Sequence, residues 1–490
     1  MNRRSLLSAI GAALGAAAPR PRPNVLLIIS DQFHHASYGA AGHSVVKTPN
    51  LNRMAREGVR FENAVCVTPF CSPTRASLLT GLYPHKHGIT YNVDYDGDQL
   101  SKGPGFDPGM ASTEQILFEN GYTCRHFGKW HLGDRSTLPP YADEPSEGTY
   151  SEGPRKNGAV RGPGGAPVHM IDAVQKANAN WEGPLPANTK IGRIDTPPAQ
   201  IKESKYTDLA IRELDKLAGK PFFLTVSLSA PHAPFQVSEP YYSMHERAAI
   251  ALPANRNSIE PVDRKSVAWR FGQSLGEDGM REYMAVYYGL IAMVDWNIGR
   301  LLDAVHGHGL DRDTLVIFTS DHGDMCGGHG AFDKAISSMY EEITRIPLIM
   351  RMPATIPAGG VVKTQSGTCD VHPTILDYLS LKPRGPVHGM NLRPYIQGKA
   401  DSDRPIFCER ERGEKNFQRM IRTLEWKYVY NSSGESQLYN LMRDPGETKN
   451  LIADASARPA RDKLHRQLGA WMRDTGDPRI AQLGTAPTPP

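Results

Sequence analysis

Beyond its first 18 residues the chain lacks any apolar run near the ~20 residues that a membrane-spanning helix requires. It also lacks a basic stretch with interleaved aromatics. Its formal charge is only +4 over 490 residues, so the electrostatic footprint of a nucleic-acid-binding protein is missing. Cysteine is scarce. Cys66, Cys71, Cys124, Cys326, Cys369 and Cys408 are scattered without metal-ligand spacing. Their even number permits disulfides in an oxidising compartment, but a chain of this length does not need them. No internal repeat is present. What remains, with 39% apolar and 22% charged residues, is the composition of an ordinary soluble enzyme, long enough for one large α/β domain and a smaller one.

The first 18 residues have a different composition. Met1-Asn2-Arg3-Arg4 precedes a weakly apolar stretch and then small residues up to Ala18. This is the layout of a cleavable export signal, and the paired arginines favour the twin-arginine type. Residues 19–23, Pro-Arg-Pro-Arg-Pro, read as a stiff linker. The mature protein is therefore expected to be exported, periplasmic or extracellular, with no stable membrane span.

Asn24–Ser30, Tyr122–Phe127, Pro221–Leu228, Thr314–Thr319 and Ile346–Met350 are short continuous apolar runs, the pattern of strands buried on both faces. Helical patterns lie between them, for example Tyr206–Leu217 and Met284–Val305. The alternation predicts an α/β fold whose mostly parallel sheet is sandwiched by helices. Asp31, Lys129, His232 and Asp321 each stand at or just after the C-terminal end of a predicted strand, the edge at which such sheets bind ligands. Two Gly/Pro-rich stretches, Tyr91–Pro108 and Asp134 to about Pro198, are expected to form the rim of a substrate pocket. From 399 onwards the pattern becomes a small antiparallel sheet with one helix. Its predicted strands are Ile406–Glu409, Ile421–Leu424, Trp426–Tyr430 and Gln437–Leu441, its helix is Ala460–Met472, and its end frays beyond about Pro478. The expected division is 24–398 for the catalytic domain and 399–490 for the C-terminal α+β subdomain.

Several residues suit a common chemistry. Ser30-Asp31-Gln32 and Ser320-Asp321-His322 supply two carboxylates, an amide oxygen and an imidazole, a set that suits a divalent cation; the imidazole would also admit manganese. Pro73 sits just inside a predicted helix start, which places Cys71 at a helix N-terminus, where anions are favoured. Arg75 is one turn along on the same side. In an extended segment Lys129 and His131 would point the same way.

Cys71-Ser72-Pro73-Thr74-Arg75, running into Leu78-Leu79-Thr80-Gly81, resembles the signature of the type I (formylglycine-dependent) sulfatases. Gly128-Lys129-Trp130-His131-Leu132-Gly133 resembles their second signature. The resemblance runs from Asn24 to the C-terminal region and implies an alkaline-phosphatase-like fold. It also implies oxidation of Cys71 to formylglycine by a formylglycine-generating maturation enzyme, and one divalent cation, Ca2+ by expectation with Mn2+ or Mg2+ as alternatives. The cation's ligands would be Asp31, Gln32, Asp321, His322 and the oxidised Cys71. By the same resemblance Lys129 holds sulfate, His131 helps deprotonate the hydrated aldehyde, and His232 and Lys334 contact sulfate and protonate the leaving group; the Arg75 guanidinium, on the side of Cys71, can hold the hydrate and a sulfate oxygen. His85, His87, His329 and Asp333 lie near these motifs without an assigned role. The expected reaction is hydrolysis of a sulfate monoester, with a sulfated carbohydrate favoured as substrate. Asp31-Gln32 with Asp321-His322 also fits a formylglycine-dependent phosphonate monoester or phosphodiester hydrolase. A non-catalytic sulfated-glycan-binding protein on the same fold is the remaining alternative.

Overall fold

A computed structural model describes residues 22–93, 106–107, 109–133, 168–182, 189–217, 219–334, 336–412 and 416–486. The expected export signal and most of both Gly/Pro-rich stretches lie outside the described residues.

A seven-stranded sheet organises the fold. Its strands are β1 (Asn24–Asp31), β2 (Val59–Phe61), β3 (Thr123–Gly128), β4 (Phe222–Pro231), β5 (Thr314–Ser320), β6 (Leu348–Arg351) and β7 (Gly360–Val362). Their order across the sheet is β7-β2-β6-β5-β1-β4-β3. Pairing is parallel except at β6, which runs antiparallel to both neighbours. β1, β4 and β5 are buried along their whole length, because both faces of the sheet are covered. Alternation along β1 sorts its side chains between two cores. Leu26 and Ile28 join the core formed with α1 (Pro49–Glu57), α3 (Lys202–Leu217) and α4 (Val267–Gly307). Val25, Leu27 and Ile29 join the opposite core, with Leu78 of α2 (Cys71–Thr80) and Val371 and Ile375 of α5 (Val371–Tyr378). Each such buried aliphatic side chain contributes about 1.5–3 kcal/mol.

The C-terminal sheet runs in the order β8-β9-β10-β11, all antiparallel. Its strands are β8 (Ile406–Arg412), β9 (Asn416–Arg422), β10 (Trp426–Asn431) and β11 (Gln437–Asn440), and α6 (Arg458–Thr475) packs against it. Two sequence expectations fail here. The strand expected at Ile421–Leu424 lies at Asn416–Arg422, because Thr423 and Trp426 close the following turn through backbone and hydroxyl bonds. The expected strand carried too little apolar signal, since β9 buries Gln418 and Arg419 as well as Met420 and Ile421. The chain after Pro478 does not fray at once. Pro478–Gln482 forms a 3-10 turn capped by Asp477, and the Gln482 carbonyl accepts from the Tyr430 hydroxyl. The described part of the second Gly/Pro-rich stretch is also structured in places, with a helix at Asp172–Ala179 whose Val174 and Ala177 reach the larger core.

Candidate active site

Strand register fixes the height at which the polar groups emerge. Ser30 of β1 pairs with Ser320 of β5 and with Leu228 of β4, and Gly128 of β3 pairs with Ser227. Asp31, Asp321, His232 and Lys129 therefore leave the same sheet edge at nearly one level. Cys71 is the first residue of α2, and the helix aims its N-terminus at that edge.

The structure brings these groups together around the Cys71 sulfur. Sγ lies 3.2 Å from His322 Nε2, 3.1 Å from Lys334 Nζ and 3.7 Å from Asp31 Oδ1. His131 also hydrogen-bonds the thiol. Lys129 Nζ sits 2.5 Å from Asp31 Oδ2. Lys129 and His131 meet the site as expected, but not by extended geometry. Strand β3 ends at Gly128, and the chain then turns with φ of 98° at Gly128 and 57° at His131. Gly128 must be glycine, since a Cβ there would lie 2.0 Å from the Ser227 carbonyl oxygen.

Arg75 is 2% exposed and fully engaged. Nε donates to Asp321 Oδ2, Nη1 to the Lys129 carbonyl and Ser227 Oγ, and Nη2 meets Asp31 Oδ2 and Asp321 Oδ2, both at 3.0 Å. Sequence reasoning assigned Arg75 to sulfate. The geometry makes it a brace that orients two carboxylates. Asp31 Oδ1 and Asp321 Oδ1 then both face His322 Nε2, at 3.8 and 3.7 Å. Asp321 Oδ1 also accepts the Gln32 and His322 backbone N–H groups. The His322 Nδ1–H donates to the Gly323 carbonyl, so Nε2 carries the lone pair.

Gln32 completes the donor set. Its Nε2 donates to Asp324 Oδ2 at 2.6 Å and to Asp333 Oδ1 at 2.9 Å, while the Tyr287 hydroxyl donates to the Gln32 backbone carbonyl. Its Oε1 is buried without a hydrogen-bond partner among the described residues, an arrangement that native proteins rarely leave unexplained. Two carboxylates, an imidazole lone pair and an orphaned amide oxygen beside Cys71 fit a divalent cation. Asp31, Cys71, Asp321 and His322 have ligand atoms within 4.8 Å of one another.

Electrostatics follow from this packing. Burial and Cys71 push the Asp31 carboxyl up, but Lys129, His232 and Arg75 outweigh them and hold it well below the usual range. Burial likewise raises the Cys71 thiol, yet Lys129, Lys334, His322 and the His131 hydrogen bond bring it well below its ordinary value. The site is thus built to hold an anion at position 71. His232 reaches the edge through its N–H to the Asp31 carbonyl, and its Nδ1–H donates to the Ala233 carbonyl.

Sequence reasoning missed Ser227, Asp324, Tyr283 and Tyr287, and gave Asp333 no role. Asp324 and Asp333 hold the Gln32 amide, and Tyr283 bonds both of them. Burial and Asp333 lift Asp324 to about 6. The only signal was proximity, three residues after Asp321 and one before Lys334. His85, His87 and His329 are engaged elsewhere, with Glu409, Ser77 and the Ser258 carbonyl respectively.

Comparison with known proteins places the chain in a family. The family model described as Sulfatase matches residues 23–381, and one for the C-terminal region of N-sulphoglucosamine sulphohydrolase matches 327–474. An ulvan-active sulfatase of Formosa agariphila is 28% identical, covering 93% of this chain and 82% of its own. An N-acetylglucosamine-6-O-sulfatase of Bacteroides thetaiotaomicron is 26% identical, covering 93% and 87%. The crystal structure of a phosphonate monoester hydrolase of Agrobacterium radiobacter superposes with a TM-score of 0.72 at 26% identity, covering 93% and 96%. The chain belongs to the sulfatase family of the alkaline phosphatase superfamily, and its activity class is sulfuric ester hydrolysis.

Proposed function

We propose that the chain hydrolyses a sulfate monoester of a carbohydrate outside the cytoplasm, R–O–SO3− plus water giving R–OH, sulfate and a proton. The observation that carries this reading is the convergence of His322, Lys334, His131 and Asp31 on Cys71 at a helix N-terminus. Cys71 is oxidised to formylglycine by a maturation enzyme, and the hydrated aldehyde supplies the attacking hydroxyl. Asp31, Gln32, Asp321 and His322 would hold a divalent cation, which when bound would lower the pKa of that hydroxyl and draw charge from sulfate.

The chain's own residues do the rest. Arg75 fixes the two carboxylates. Lys129 and Lys334 bring ammonium groups against the charge that gathers on the transferring group. His232 has its Nδ1–H bound to a carbonyl, so Nε2 is the atom that delivers a proton to the departing oxygen, with Lys334 beside it. His131 takes the proton from the remaining hydroxyl, whose oxygen would form the aldehyde C=O as the carbon–oxygen bond to sulfate breaks and sulfate leaves. The carbohydrate assignment is supported by the two relatives named for ulvan and for N-acetylglucosamine-6-O-sulfate.

Mass spectrometry of the Cys71 peptide tests the nucleophile: conversion lowers its mass by about 18 Da. An unmodified thiol with no turnover would support a glycan-binding protein instead. The structural likeness to a phosphonate monoester hydrolase sets the competing substrate. A higher kcat/KM for a phenyl phosphonate ester than for 4-nitrophenyl sulfate would overturn the sulfate reading. Release of sulfate from a panel of sulfated glycans tests the substrate class, and activity confined to small aryl sulfates would count against it.

A further inference from the structure

A second group of metal-capable side chains lies apart from the Cys71 cluster: His329, Glu342 and Glu447, whose ligand atoms all lie within 4.8 Å of one another. His329 stands in the loop Gly327–Gly330, Glu342 in the short helix Glu341–Thr344, and Glu447 in the turn after β11.

His329 is the informative member. It is completely buried, and its backbone is held at φ 52°, a costly conformation for a non-glycine residue. Its ring stacks on Tyr340 with centroids 3.7 Å apart. Its Nδ1–H donates to the Ser258 carbonyl, so the Nε2 lone pair faces the carboxylates. Nε2 has no hydrogen-bond partner among the described residues. Glu342 Oε1 is 3.8 Å away, too far for a hydrogen bond. Two donors each ~2.0–2.2 Å from a common ion stand about 3–4 Å apart, a range that includes the His329–Glu342 separation. A second ring nitrogen bound to a carbonyl is also the usual support of a metal-ligating histidine.

The surroundings hold the carboxylates in place. Asn255 Nδ2 donates to Glu342 Oε1 at 2.8 Å, the Glu341 N–H donates to Glu447 Oε2 at 2.6 Å, and the buried Lys427 ammonium lies 2.7 Å from Glu447 Oε1. Gly328 leaves room for Glu342, since a Cβ there would lie 2.5 Å from its Oε1. The other remote cluster, His85 with Glu409 and Asp477, differs at its histidine. Both of its ring nitrogens are bonded, and Arg419 binds Asp477.

We propose that His329, Glu342 and Glu447 form a second cation site, for a divalent transition metal such as Zn2+ or Mn2+. The ion ties the loop leading to Lys334 to the turn after the C-terminal sheet. The site does not depend on the sulfatase chemistry proposed above, and its test separates the two.

Full-length protein is stripped with chelator, dialysed against Zn2+ and then metal-free buffer, and its metal is counted by plasma mass spectrometry. Asp321→Asn, which removes a ligand of the Cys71 site, is expected to retain one Zn2+ per chain. His329→Gln and Glu447→Gln are each expected to lose one Zn2+ relative to the parent. Zn2+ is also expected to raise the thermal midpoint of Asp321→Asn but not that of Asp321→Asn/Glu447→Gln. Should His329→Gln fail to fold, the Asp321→Asn count decides: one bound ion supports the site, none overturns it. Equal zinc content in the parent and both remote variants would overturn it as well.

Discussion

Arg75 and Arg419 are two buried arginines with nearly the same bonds and opposite surroundings. Arg75 braces Asp31 and Asp321; Arg419 braces Asp477 through Nε at 2.6 Å and Nη2 at 3.0 Å, and Glu411 at 2.9 Å. Around Arg419 the network closes, because Asp477 caps the following 3-10 turn. Around Arg75 it does not. Asp31 Oδ1 and Asp321 Oδ1 face an imidazole lone pair, with the Gln32 amide oxygen left unbonded among the described residues. A closed network fixes the shape of the fold, and an open one supplies a place for ligands. Such arginine–carboxylate forks look alike in a sequence, so only the unspent atoms separate a brace from a site.

Variants can force the two regions apart. Cys71→Ala should lower kcat/KM by about ten-thousand-fold or more, since nucleophile removal is among the largest single losses known. Its unfolding free energy should shift by about 1 kcal/mol or less in urea titration; an equal loss of stability would blur the contrast. His131→Asn should cost about 10²–10⁴-fold in kcat, the span of general-base catalysis, and flatten the pH–rate profile. A raised KM with unchanged kcat would make His131 a binding residue. Arg419→Met strands Asp477 in the interior and should destabilise the chain by about 3–5 kcal/mol. The folded fraction should keep its kcat/KM, and a parallel fall in activity would merge the two regions.

The smallest effect is a pH dependence. Burial lowers the His85 pKa, but the hydrogen bond and charge of Glu409, only 2.6 Å away, outweigh it and raise the value. A raised folded-state pKa gives stability that is complete below the unfolded value of about 6.5. That contribution is lost as pH rises through the folded value. His85→Gln should therefore flatten the decline of unfolding free energy above about pH 6.5, and a parallel decline in the variant would remove His85 from the account.

Much of the site was readable because buried parallel strands write themselves as apolar runs. Asn24–Ser30 and Thr314–Thr319 announce where Asp31 and Asp321 must emerge. β2 and β7 were not readable, since three residues carry no period. The meeting of Lys129 and His131 was expected for the wrong reason, because left-handed turns at Gly128 and His131 replace the extended segment. Arg75's role depends on which carboxylates lie behind it, and those come from strands 44 and 246 positions away. Ser227 is an ordinary strand serine until register places it beside the guanidinium. Gln32 looked like a ligand, but the aspartates that turn its oxygen outward act through tertiary contacts alone.

Cys71 is 1% exposed, and every residue of its helix is buried. No protein-sized catalyst can reach a side chain at that depth once the sheet edge has closed over it. The proposed oxidation of this cysteine would therefore be a race against folding: the fraction of active molecules would be set while the chain is being made, and a faster-folding variant would be a less active one.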